Sequence, residues 1–226
     1  MSFEIVPAVI LGALLGVDVV SFTQTMVSRP IVAATLAGIV AGDTMAGLLA
    51  GASLELVALE TLPVGASKYP EWGSASVVGG TFFASSGADH AGALVLAVLA
   101  AIVTAWGGGW SMYFLRRING ALARRMEPDL RSGRRGAGAT LQALGIVGDF
   151  IRGGLVTLIA LLLLGPLAGR GVQEWSLDAH FSVSAVAAVT LAVAVSATWK
   201  LVSNTAGARV IMVGGVALGL TLLIFG

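Results

Sequence analysis

Four carboxylates lie in or beside strongly apolar segments of the first sixty residues: Asp18, Asp43, Glu55 and Glu60. An ionised side chain facing lipid costs at least roughly 3 kcal/mol, so such groups are functional candidates by default. Their chemistry suits a sugar, because each carboxylate oxygen takes charge-assisted hydrogen bonds from neighbouring hydroxyls. Gln24 and Asn204 can add amide bonds, and Trp72 a ring face for packing. Three of the four also have a plain structural use. Asp43, between Gly42 and Thr44, can cap a helix N-terminus. Glu60 can sit at the membrane surface with its charge in water. Glu55 has the least comfortable such use, because it follows Leu54 and precedes Leu56-Val57 inside an apolar run. The same carboxylates would equally serve a proton- or sodium-coupled carrier. A further alternative is an interaction protein that transports nothing. The residues alone leave these readings open.

Other chemistries are excluded or unsupported. The chain has no cysteine, which removes disulfides, thiolate metal sites and cysteine nucleophiles. Its two histidines, His90 and His180, have no ligand-like spacing, so no metal site is expected. There is no Gly-rich phosphate loop and no evident nucleophile–base pair. No catalytic residue, no cofactor and no nucleic-acid partner are therefore expected.

The elements that must position these groups are membrane helices. Of 226 residues, 57% are hydrophobic and 11% charged, against roughly 25% charged in a soluble domain. With a mean hydropathy of +0.93, the expectation is an all-α polytopic membrane protein of about five to seven transmembrane helices. Apolar runs at 5–27, 92–115, 141–169, 181–202 and 207–225 are long enough to cross, the third closed by Gly165-Pro166. The Ser- and Gly-rich stretch 74–88 is ambiguous. Met1-Ser2-Phe3-Glu4 lacks a basic leader, so no cleavable signal peptide is expected.

Residues 31–59 break this pattern. Two apolar arms, 31–41 and 45–59, flank Gly42-Asp43-Thr44, and at 1.5 Å per residue each is too short to span a core of about 30 Å. A continuous helix would bury Gly42-Asp43 near its middle. A re-entrant helical hairpin instead puts irregular backbone against a cavity, as transporter binding sites do. Gly38, Gly42, Gly47 and Gly51 give both arms a small-residue face.

Residues 116–135 carry seven of the thirteen basic side chains: Arg116, Arg117, Arg124, Arg125, Arg131, Arg134 and Arg135. The positive-inside rule assigns this loop to the cytoplasm. It divides an N-terminal membrane half, 1–115, from a C-terminal half, 136–226. It is either a topology signal alone or a docking site for an acidic or phosphorylated partner.

Ser28-Arg29-Pro30-Ile31, Gly38-Ile39-Val40-Ala41-Gly42-Asp43, Gly47, Gly51, Leu54-Glu55 and Pro63-Val64-Gly65-Ala66 occur in that order over some fifty residues. With Asp18 and Gln24 ahead of them, they resemble the N-terminal half of the membrane subunit IIC of mannose-type phosphotransferase systems. Gly148-Asp149-Phe150-Ile151-Arg152-Gly153 is a weaker echo. The segment Ser67-Lys68-Tyr69-Pro70-Glu71-Trp72 departs from the family's more Ala-rich pattern, although Pro70-Glu71 matches its Pro-acid pair. The resemblance implies a sugar-translocating subunit of the bacterial inner membrane, paired with a IID membrane subunit in a trimer of IIC–IID units. It implies that IIA and IIB phosphocarriers phosphorylate a hexose or amino sugar as it enters. The IIC chain itself would be no enzyme. The substrate-binding residues expected are Glu55, Asp43, Asp18, Gln24, Glu60 and Trp72.

Overall fold

The computed structural model describes residues 5–18, 21, 25–61, 68–87, 90–205 and 207–225. Gln24 and Pro63-Val64-Gly65-Ala66 lie outside the described residues. Every regular element described is a helix: α1 Ile5–Asp18, α2 Pro30–Ala41, α3 Thr44–Ala58, α4 Trp72–Ser86, α5 Ala93–Arg125, α6 Glu127–Arg131, α7 Ala137–Gln173, α8 Ala179–Val202 and α9 Ala208–Phe225. By length and composition α5, α7 and α8 can cross a membrane, and α1, α2, α3 and the first part of α9 are shorter apolar helices. The chain is an integral membrane protein of the all-α class.

The expected hairpin is present. Gly42 ends α2 in the left-handed region (φ 91°) with its N–H on the carbonyls of Gly38 and Ile39, a conformation that side chains with a Cβ adopt only at a cost. Asp43 then caps α3, its carboxylate accepting from the Ala46 N–H at 2.9 Å. The two arms cross at Gly38 and Gly47. A Cβ added to Gly38 would stand 2.7 Å from the Gly47 Cα and 2.6 Å from the Asp43 carbonyl oxygen. At 12 and 15 residues, the arms are about 18 and 22 Å long.

Four boundaries differ from expectation, each for a physical reason. The helix beginning at Ile5 is described as far as Asp18, and residues 25–29 are not helical, so it does not run to 27. Its last carboxylate accepts the N–H groups of Thr25 (2.8 Å) and Ser28 (3.0 Å), which folds the chain back on itself. The ambiguous stretch 74–88 is α4, a 15-residue helix with all but two residues buried. It packs among α1, α2, α3, α5 and α7, so its small side chains serve close packing with protein, not lipid. Pro166 does not close α7, which runs on to Gln173. Proline removes only one helical donor, and neighbouring helices make that tolerable in membrane proteins. Finally, 116–135 is not an irregular loop: α5 continues helically to Arg125, and α6 and α7 follow almost directly.

Antiparallel packing gathers one end of every central helix in one place. The α1 C-terminus meets α7 where Gly16 lies against Gly153 and Arg152. Tyr69, just ahead of α4, takes a 2.8 Å hydrogen bond from Arg116 of α5. Lys200 of α8 pairs with Glu60 beyond α3. Arg29, Lys68, Arg116, Arg117 and Lys200 therefore share this basic end of the bundle, with the open end of the hairpin among them.

Candidate functional site

The segment 25–31 is held from two sides by carboxylates. Asp18 accepts from the Thr25 N–H, the Thr25 hydroxyl at 2.8 Å and the Ser28 N–H. Between them Met26 takes a left-handed φ of 64°, a strain of roughly 1–3 kcal/mol that these bonds offset. On the other side Glu55 forms an ion pair with Arg29 and accepts the Ile31 N–H at 3.2 Å. Proline at position 30 fixes the first turn of α2 and has no N–H to satisfy. Glu55 thus reaches across the hairpin to cap the arm opposite its own.

Beside this junction is a cleft of about 80 Å³ lined by Ser28, Arg29, Pro30, Ala58, Thr61, Tyr69, Pro70 and Trp72. Trp72 opens α4, and its indole N–H donates to the Thr61 hydroxyl at 3.2 Å. The cleft therefore offers a guanidinium, a phenol, a threonine hydroxyl and an aromatic ring, with the Glu55 carboxylate one bond behind Arg29. That set can bind a polyhydroxylated ligand through donors, acceptors and ring packing. The Glu55 side chain is 20% exposed, so its charge is partly hydrated and its unused lone pairs are open to a ligand.

The structure brings most of the expected residues together but not all. Trp72 lines the cleft, Glu55 and Asp18 brace it from behind, and Glu60 lies next to Thr61 in its ion pair with Lys200. Asp43 is at the hairpin tip, about 18 Å of α2 away. Asn204 follows α8, away from the cleft's lining. A wider groove of about 620 Å³ runs between α8 and α9, past Trp199, Met212, Val213 and Val216. Its wall is almost wholly apolar and offers a sugar no acceptor.

A second polar cluster lies close by and was not anticipated. Glu71, Asp149 and Arg152 are 0%, 3% and 7% exposed. Arg152 Nε donates to Asp149 Oδ1 at 2.7 Å, and its Nη1 stands 3.8 Å from Glu71 Oε2. The guanidinium also donates to the Gly16 carbonyl (3.3 Å) and the Ser111 hydroxyl (3.4 Å), while Ser21 donates to Asp149. Glu71 caps α4 through the Ser74 N–H at 3.0 Å, and its own N–H bonds the Ala105 carbonyl at 2.8 Å. One guanidinium therefore ties α1, α4, α5 and α7. The sequence signal was an acid and a base three residues apart inside an apolar span, a spacing that puts both on one helix face.

Known proteins resemble this chain at several levels. A solved structure described as that of a membrane protein superposes with a TM-score of 0.75 over 99% of this chain and 93% of its own, at 19% identity, a likeness of fold. The fructose permease IIC component of Bacillus subtilis (strain 168) is 38% identical over 77 residues, 34% of this chain and 28% of that protein. The mannose-specific EIIC component of Escherichia coli (strain K12) is 42% identical over 50 residues, 22% and 19% of the two chains. The sorbose-specific EIIC component of Klebsiella pneumoniae is 31% identical over 77 residues, 34% and 29%. The matched segments thus span less than a third of these relatives. The family model for the sorbose-specific IIC component of the phosphotransferase system matches residues 3–175, well over half of the chain, and the chain belongs to that family.

Proposed function

We propose that this chain is the sugar-path subunit, IIC, of a phosphoenolpyruvate-dependent phosphotransferase system in the bacterial cytoplasmic membrane. In this reading it imports a hexose or an amino sugar together with a IID membrane subunit, as a trimer of IIC–IID units. The sugar is phosphorylated on entry by a IIB phosphocarrier that IIA recharges. The basic end of the bundle faces the cytoplasm by the positive-inside rule, and the hairpin of α2 and α3 re-enters from that side.

The observation that carries this reading is the cleft at the open end of a hairpin too short to cross the membrane. There Arg29, Thr61, Tyr69 and Trp72 meet, with Glu55 paired to Arg29 behind them. Glu55 is the principal acceptor for sugar hydroxyls, with Trp72 as the packing surface, Asp18 behind the 25–31 segment and Glu60 at the rim, and Gln24 adds an amide. Asp43, at the tip, serves the path at a different depth. Small-molecule pockets usually measure about 300–1,000 Å³, so the 80 Å³ cleft is a narrow form. A sugar enters when the hairpin shifts or when the second membrane subunit supplies the remaining wall.

The test is uptake of labelled fructose, mannose, sorbose and glucosamine into vesicles holding the complete membrane complex. Phosphoenolpyruvate with the soluble carriers, and an ionophore, are varied independently. Uptake that requires phosphoenolpyruvate, survives the ionophore and yields sugar phosphate inside is the expected result. Free sugar delivered by a flux that collapses with the ionophore would establish an ion-coupled carrier instead.

A further inference from the structure

Helices α5 and α7 are longer than a membrane needs. The apolar part of α5 ends at Leu115, and its ten following residues, Arg116–Arg125, add about 15 Å of helix. The antiparallel start of α7 stays packed against them: Gly148 faces Leu115, and Gly145 faces Asn119. The polar interface adds only roughly 5–7 Å to each side of the hydrocarbon core. The pair therefore forms a stiff helical arm whose tip, closed by α6, stands beyond the lipid headgroups.

The charges on this arm are sorted by height. At its base, Arg116 bonds Tyr69 and Arg117 stacks on Tyr113. At its tip both acids are already neutralised, Glu127 by Arg131 at 2.6 Å and Asp129 by Arg134 at 3.0 Å. Arg124, Arg125 and Arg135 remain, all exposed and without an ion pair among the described residues. For Arg124 and Arg125 the last turn of α5 is a favourable place, because cations there oppose the helix dipole. Arg135 has no such excuse. It immediately precedes Gly136, the N-cap of α7, where the helix dipole disfavours a cation.

We infer that the arginine crown at the tip, Arg124, Arg125 and Arg135, docks an acidic surface of a soluble phosphoprotein. The inference rests on the cytoplasmic placement of this end in the proposed function, where that phosphoprotein is the IIB carrier. Anionic lipid is the weaker candidate because its surface attraction fades within a Debye length of about 8 Å. The tip stands off by about that much. A soluble acidic face can close on the crown directly, and guanidinium groups are matched to carboxylate and phosphate oxygens.

The experiment uses the purified membrane complex in nanodiscs of neutral phosphatidylcholine and measures binding of purified, phosphorylated IIB carrier. Wild type is compared with Arg124→Gln/Arg125→Gln/Arg135→Gln, with gel filtration confirming that both are intact. The triple variant should raise the Kd roughly tenfold near physiological salt and flatten its salt dependence. An unchanged Kd overturns the inference, as does absence of wild-type binding. A difference that appears only when anionic lipid is added assigns the crown to the membrane and also overturns it. Arginine-dependent binding without any sugar phosphate formed upholds the docking surface while sinking the proposed function.

Discussion

Two ionic clusters at the same end of the bundle use the same chemistry in different surroundings. Around Arg152, two carboxylates and one guanidinium are sealed between four helices. Around Arg29, the guanidinium is 36% exposed and its partner Glu55 20% exposed, at the edge of a cleft. A buried charge group is committed to its partners, since water cannot replace any bond it loses. A half-exposed pair can exchange one bond for a ligand's at little cost, because solvent screens both states. On this difference rests the proposal that the Arg152 cluster is scaffold and the Arg29–Glu55 pair the part available to substrate.

The largest expected effect belongs to the scaffold. Arg152→Met leaves Asp149 and Glu71 buried without their cation and should destabilise the protein by about 3–5 kcal/mol, read as a lowered melting temperature in detergent. A variant that melts like wild type yet fails to transport would move Arg152 into the site and erase the distinction. Glu55→Gln should do the opposite. Charge-assisted hydrogen bonds contribute roughly 1.5–3 kcal/mol each, so sugar uptake should fall about 10- to 100-fold while melting changes little. If uptake holds, Glu55 is only a brace for Arg29 and Ile31. Asp43→Ala should cost about 1 kcal/mol through loss of the α3 cap and leave sugar affinity at the cleft unchanged. A changed affinity would extend the site down the hairpin to its tip. Lys200→Gln, which removes an exposed partner of Glu60, should alter stability by less than about 1 kcal/mol.

Much of this was legible in the sequence because it is local. The hairpin could be read from two arms too short to span and from Gly42-Asp43, where a glycine ends one helix and an acid caps the next. What escaped is long-range. Glu71 and Arg152 are 81 residues apart in the chain, and nothing local to Pro70-Glu71 announces a burial as complete as the one observed. The small residues of 74–88 likewise read as a weak span because composition does not distinguish lipid from five packed helices as the neighbour. The helical extension of α5 was hidden by its arginines, which end the hydropathy signal at Leu115 without ending the helix.

The most direct test exploits the absence of cysteine from the chain. Ser28→Cys places a single thiol in the cleft, and Ser111→Cys places one beside Arg152 as a control. Both are labelled with a maleimide in membranes, with and without saturating sugar. Sugar should slow labelling at position 28 several-fold and leave position 111 unaltered. Equal rates at position 28 with and without a sugar that the same membranes transport would show that the substrate does not occupy this cleft.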